Sequence, residues 1–168
     1  MSDSLRTYHA VKGRVCQTLP AEDTHLVNNV SLMVTGLVRS RSVQQKEIAS
    51  EVPLHTQDRS FEQRQRRFLM NEQVDVDRVY APFIRPFMQA CKGQMIPITL
   101  DGSAAGYHCQ MLMAAVSYQH RALPLAWLAR RGHKGHFSAA EHLEVVRRAA
   151  ELVPEDTAVV LLGDGEFG

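Results

Sequence analysis

The stretch Ala158-Val159-Val160-Leu161-Leu162-Gly163-Asp164-Gly165-Glu166-Phe167-Gly168 can be read in two ways, and the choice decides the fold. From Gly163 onward it satisfies G-x-G-x-x-G, the fingerprint of a dinucleotide-binding unit. That fingerprint needs a following helix, whose first N–H groups face a pyrophosphate, and an acidic residue about 20 positions further on. The sequence carries neither after Gly168. The reading that fits is a short buried strand over "TAVVLLGD" that delivers a carboxylate, Asp164, at its end.

Working back from that strand, "SAAEHLEVVRRAAELVPED" predicts a helix. Ser138 is its N-cap, Glu141 completes a capping box, and Leu143, Val146, Ala150 and Val153 form the expected packed side. Ahead of the helix lie three strand-like runs: "QMIPITLDGS" ending at Asp101, "YHCQMLMAAVSYQH", and "ALPLAWLARRG". Turn residues at Gly102 to Gly106 and at Gln119 to Arg121 make them an antiparallel meander. Pro124 cannot donate to a ladder, so the third strand is expected to lie at a sheet edge or to meet its partner only beyond the proline. Met111, Leu112 and Met113 are packing residues of the second strand.

A crossover helix from such a meander can return the last strand parallel to the first, and Asp101 and Asp164 then come to neighbouring strand ends. Two adjacent carboxylates repel unless a divalent cation lies between them, so the pair fits an Mg²⁺ or Mn²⁺ site that binds phosphate oxygens and activates a hydroxyl. Two ordinary turn or cap aspartates are the alternative. His133, His136 and His142 are close in sequence, but their spacing is not a zinc pattern, and they are read as loop and surface residues. With Arg130, Arg131 and Lys134, the first two could line a DNA-facing loop.

The first half has a different texture, with the change near Lys92-Gly93; residues 1–92 are read as a helical region and 93–168 as a second domain. Leu26, Val30, Met33, Val34 and Leu37 predict a helix from about Asp23 to Arg39. Ser42 to Gln45 and Ser60 to Gln63 read as two capping boxes, opening a short helix closed by Val52-Pro53 and a second running to about Asn71. Two short helices joined by a turn resemble a helix-turn-helix. The latter helix carries Arg59, Arg64, Arg66 and Arg67, with Phe61, Gln65, Phe68 and Leu69 toward the other side. Arg64, Arg67 and Asn71 fall on one stripe. Guanidinium groups so arranged can contact phosphates or guanine edges in a major groove; a solvated basic face paired with Glu62 and Asp58 is the other reading. Residues 77–93 predict one more helix whose regularity Pro82 and Pro86 limit.

Composition fits this picture, since 45% apolar content over 168 residues suffices for one sizeable core or two small ones. A net charge of +1 attracts no acidic partner globally, so any nucleic-acid argument depends on where the arginines lie. Cys16, Cys91 and Cys109 are odd in number and form no C-x-x-C pair, as expected of reduced thiols. No leader-like start and no apolar run near the ~20 residues of a membrane span occur, and a cytoplasmic, nucleoid-associated location is expected.

Taken in order, "RQRRFLMN", "LDGS", "ALPLAWLARRGHKGHFSAAEHLEVVRRA" and "VVLLGDGEFG" resemble the DDE transposases of bacterial insertion sequences over roughly residues 25 to 168. The resemblance implies a helical DNA-binding region followed by an incomplete ribonuclease-H-like mixed sheet (β-β-β-α-β), an α+β or α/β arrangement. It also implies that Asp101 and Asp164 are the first two acids of a catalytic triad that holds two Mg²⁺ or Mn²⁺ ions. The family cleaves DNA at the inverted-repeat ends of a transposon and joins the freed 3′-hydroxyl to a target. Its third acid is a glutamate on a later helix, which these 168 residues do not contain; Glu166, two residues from Asp164, is a poor geometric substitute. The expectation is therefore a truncated transposase, inactive alone. The alternative is a DNA-binding regulator that dimerises or associates with a full-length enzyme and inhibits it. A haloacid-dehalogenase-type phosphatase also combines a strand-end Asp with Gly-Asp-Gly, but that family wants a second acid where this chain has Ser103.

Overall fold

The computed structural model describes residues 2–53, 58–106, 108–132 and 137–163, in which six helices and a four-stranded mixed sheet are found. The chain divides into two compact units, Met1–Val79 and Tyr80–Gly168. The division falls before the change in sequence texture at Lys92-Gly93, because the segment between them packs with the second unit: Ile84 and Met88 belong to the same core as the sheet.

In the first unit, α1 (Asp3–Thr18) precedes everything expected of this region, its N-terminus capped by Ser2, whose hydroxyl accepts from Leu5 N–H at 3.3 Å. Its apolar stripe is thin, with Tyr8, Val11 and Val15 as its main packed residues, which is why periodicity does not announce it. Helix α2 (Thr24–Ser40) matches the predicted span. The hydroxyls of its buried Ser31 and Thr35 donate to Val27 and Ser31 carbonyls at 2.6 and 2.7 Å, so these small residues are satisfied within their own helix. They leave room for neighbours to approach. Helix α3 (Gln45–Glu51) meets α2 at Gly36, where an added Cβ would lie 2.5 Å from Ile48 Cγ2 and 2.7 Å from its carbonyl oxygen.

Neither predicted capping box in this unit forms a helix start. Ser42 accepts instead from Gln44 N–H at 3.1 Å, a tight local turn, and α3 begins after it. Helix α4 (Asp58–Leu69) is already under way at Ser60. Phe61 joins Leu32, Ile48 and Ala49 in one cluster, while Val15, Leu19, Val27 and Val30 form another. Phe61 and Gln65 are buried as expected, but Leu69 is 57% exposed, contrary to its expected inward position at the end of the helix.

Helix α5 (Val76–Ala90) covers most of the predicted segment and is continuous through both prolines. Pro82 and Pro86 remove the donors that would reach back four residues, so two intrahelical bonds are missing, and packing of Ile84, Phe87 and Met88 holds the segment. The Tyr80 hydroxyl donates to the Pro124 carbonyl at 2.7 Å.

The sheet is the predicted meander with a parallel return, in the order β3-β2-β1-β4. Strands β1 (Met95–Ala104), β2 (Cys109–Tyr118) and β3 (Arg121–Arg131) are antiparallel, and β4 (Ala158–Gly163) runs parallel to β1. Pro124 sits on an edge strand beside a register shift, where Ala114 faces Ala126 and Ala115 faces Pro124. Gln119 and His120 turn the β2–β3 hairpin with φ of 48° and 61°, the left-handed pair of a type I′ turn. Ile96, Ile98 and Leu100 alternate into the core with Leu112, Ala114 and Val116.

Helix α6 (Ala139–Ala150) has the predicted cap and box, and its packed face agrees in part: Val146 and, just past the helix, Val153 pack against the sheet core as expected. The buried residues, however, are Val145, Ala149 and, past the helix end, Leu152, and Leu143 is 69% exposed. The apolar residues wrap more than half the helix, so sequence periodicity alone does not fix its rotation. Two further expectations are corrected. Strand β1 continues past Asp101 to Ala104, because Gly102, Ser103 and Ala104 keep pairing with β2. Strand β4 is not buried: Val159 to Leu162 are 40–49% exposed, since β4 is an edge strand. Among the described residues no helix is long and apolar enough to cross a membrane, and the three cysteines are free.

Candidate functional site

Two groups of residues carry the functional argument, one in each unit. On α4, buried Phe61 and Gln65 fix the helix to its neighbours, so the side chains on the opposite face are turned to solvent. Arg59, Arg64, Arg66 and Arg67 are all exposed, as is Asn71 just past the helix end. Among the described residues none of these arginines forms an ion pair, and Glu62 pairs with none of them; the side chain of Asp58, the other expected partner, lies outside the described residues. Of these arginines only Arg64 is anchored among the described residues: its Nε–H donates to Asn29 Oδ1 on α2 at 2.7 Å. Sequence reading missed Asn29, which is distant in the chain and lies on a helix read only for its apolar face.

In the second unit, Leu100 of β1 pairs with Gly163 of β4, the last described couple of the parallel ladder. Asp101 follows Leu100 directly and, by the pleat, points to the face opposite that buried side chain. It is exposed, opposite Met113 of β2, and its carboxylate makes no hydrogen bond or ion pair among the described residues. Such an oxygen donor set fits a hard divalent cation as one ligand. Asp164 lies outside the described residues, as do Glu166, His133, Lys134 and His136. Among the described residues no group of three or more His, Cys, Asp or Glu side chains comes together.

On the β2–β3 side of the sheet, the start of α6 is tied down by a polar cluster. Arg130 Nη1 donates to both Glu141 carboxylate oxygens at 2.7 and 3.0 Å, and Nη2 donates to Oε1 of buried Gln110 at 3.2 Å. The guanidinium also stacks 4.3 Å from the Phe137 ring centroid. Glu141 in turn accepts from Ser138 N–H at 2.7 Å and from its hydroxyl at 2.9 Å. Those Ser138 bonds, with Arg130 nearby, hold the Glu141 carboxyl below its usual range. Arg130 lies on β3 and is tied to the start of α6, whereas Arg131 is exposed. Phe137 is packed under Gly102, where an added Cβ would lie 3.3 Å from the ring, so the cluster bears directly on the segment that follows Asp101. His142 is held by its own helix start, its Nδ1 lying 3.0 Å from the Ser138 carbonyl oxygen.

Comparison with protein-family models, curated proteins and solved structures finds no match to this chain.

Proposed function

We propose that this chain is a DNA-binding protein of the DDE transposase type, in which α4 engages DNA and Asp101 with Asp164 binds Mg²⁺ or Mn²⁺ against a phosphate. The observation that carries the reading is the parallel β1–β4 register. Leu100 and Gly163 are partners, and the residue that follows each of them in sequence is an aspartate. A β-β-β-α-β order with the fourth strand parallel to the first supports a ribonuclease-H-like arrangement of the sheet.

In this reading Asp101 and Asp164 hold the cation, which supplies Lewis-acid stabilisation of a phosphoryl oxygen when bound. The chain's own part is positional. The β1–β2 pairing beyond Asp101 and the Phe137 ring packed under Gly102 fix the backbone that presents the first carboxylate. These 168 residues supply two of the three acids that the resemblance requires, so the polypeptide by itself is expected to bind metal and DNA without joining strands. A regulator that only occupies transposon ends is the second reading, favoured by the separate compact unit that contains α4.

The metal is tested by Mn²⁺-induced broadening in amide NMR spectra. Selective loss of the Leu100 to Gly102 and Leu162 to Gly163 signals at low Mn²⁺, abolished by Asp101→Asn and by Asp164→Asn alike, is the expected result. Broadening elsewhere, or broadening indifferent to both substitutions, would overturn it.

A further inference from the structure

We infer that Asn29 is a positioning residue for DNA contact: it holds the Arg64 guanidinium so that its two Nη groups meet a paired acceptor, either phosphate oxygens or the O6/N7 edge of guanine. The inference rests on the DNA-binding reading above and adds a residue from a different helix to it. The Asn29 amide oxygen accepts the Nε–H at 2.7 Å, which uses the one guanidinium donor that lies along the side of the fork. Both Nη groups make no hydrogen bond among the described residues, and the side chain is exposed. Because the guanidinium is planar, fixing Nε restricts the plane in which the Nη donors project. Arg59, Arg66 and Arg67 have no comparable tie among the described residues. Arg64 is thus the one member of the basic face whose ordering cost is largely met before DNA arrives.

Asn29 itself is well placed for this role. It is half-buried on α2 between buried Val27 and Val30, and its neighbour Asn28 accepts from the Tyr8 hydroxyl at 3.5 Å. The backbone that carries Asn29 is therefore held by packing, and the Arg64 contact spans two helices of one compact unit. A solvated arginine would gain little from such a tie, whereas a fork that must meet two acceptors in one plane gains directly.

The test is a set of fluorescence-anisotropy titrations of the full chain, using a mixed-sequence duplex and a duplex selected by the wild-type protein from a randomised pool. Asn29→Ala is expected to weaken binding about three- to tenfold. It is expected to have no effect in an Arg64→Ala or Arg64→Lys background, and its full effect in an Arg67→Ala background. Lysine keeps the charge but has no Nε to hold, so this pattern separates orientation from charge and from general loss of structure. Equal losses on both duplexes identify phosphate as the acceptor, and a loss confined to the selected duplex identifies guanine; either supports the inference. Asn29→Ala that is silent, or that weakens binding equally in every background, overturns it. If replacing all four arginines of α4 with alanine leaves the affinity unchanged, the DNA-binding reading fails as well.

Discussion

Replacing Gly36 with alanine should be destabilising although it places a better helix former in the middle of α2. The gain from propensity is about 1 kcal/mol. Against it, the new methyl would lie 2.5 Å from Ile48 Cγ2 and 2.7 Å from the Ile48 carbonyl oxygen. The Ile48 side chain could rotate, but the carbonyl belongs to the backbone of α3, so the helix itself must move. Overpacking of this kind costs about 1–3 kcal/mol, and with backbone as the neighbour the upper end applies. A net loss of about 2 kcal/mol lowers Tm by roughly 8–16 °C for a unit of this size. Gly13 in α1 is the internal control: an added Cβ there meets nothing within 4 Å, so Gly13→Ala should stabilise by roughly 0.5–1 kcal/mol. The two variants are compared by thermal and urea unfolding followed by far-ultraviolet circular dichroism. Because Ile48 packs with Phe61 of α4, Gly36→Ala should also weaken duplex binding. If both substitutions raise Tm, the close approach of α2 and α3 is wrong.

Three other outcomes are expected. Glu141 has a folded-state pKa below its usual value, so its stabilising effect is present above the unfolded-state value and is lost as pH falls through the lowered one. Glu141→Gln should therefore reduce stability at neutral pH and make no difference in strong acid, and a constant difference across the range would contradict that sign. The strained hairpin at Gln119-His120 should respond to the double change Gln119→Asn with His120→Gly by a gain of about 1 kcal/mol in chemical unfolding, with no gain refuting the type I′ assignment. Edge strand β4 exposes Val160 and Leu161 at 40% and 49%, so concentration-dependent association in size-exclusion chromatography should be reduced by Leu161→Lys. A concentration-independent monomer in the wild type would count against that exposure having any consequence.

The parts of the fold legible in the sequence were those with two agreeing local signals. The start of α6 combined a Ser138–Glu141 box with an apolar run, and both bonds of the box are present. Ser42 and Ser60 offered the same pattern without the start: Ser42 turns on itself, and Ser60 lies inside α4, because a box is decisive only where the preceding backbone is not already helical. Strand order followed from turn spacing and from Pro124, which restricts hydrogen bonding whatever the tertiary context. Burial was less legible. Strand β4 reads as an interior strand by composition yet is exposed along its length, and α6 turns Leu143 outward, since both properties depend on which neighbours are present. Of the candidate site, the exposure of the α4 arginines followed from helical periodicity. The Asn29–Arg64 bond and the Arg130–Glu141–Gln110 cluster join residues far apart in sequence, and nothing local signals them.

The most direct test of a metal site that faces DNA is cleavage by iron. With Fe²⁺ in place of Mg²⁺, ascorbate and peroxide generate hydroxyl radicals at the bound ion, which cut the nearest deoxyribose of an end-labelled duplex held by the protein. The account predicts a localised cut in the bound duplex that disappears in Asp101→Asn and in Asp164→Asn, while both variants keep the wild-type affinity for DNA. Uniform cutting, or a local cut that survives in Asp101→Asn, would contradict it.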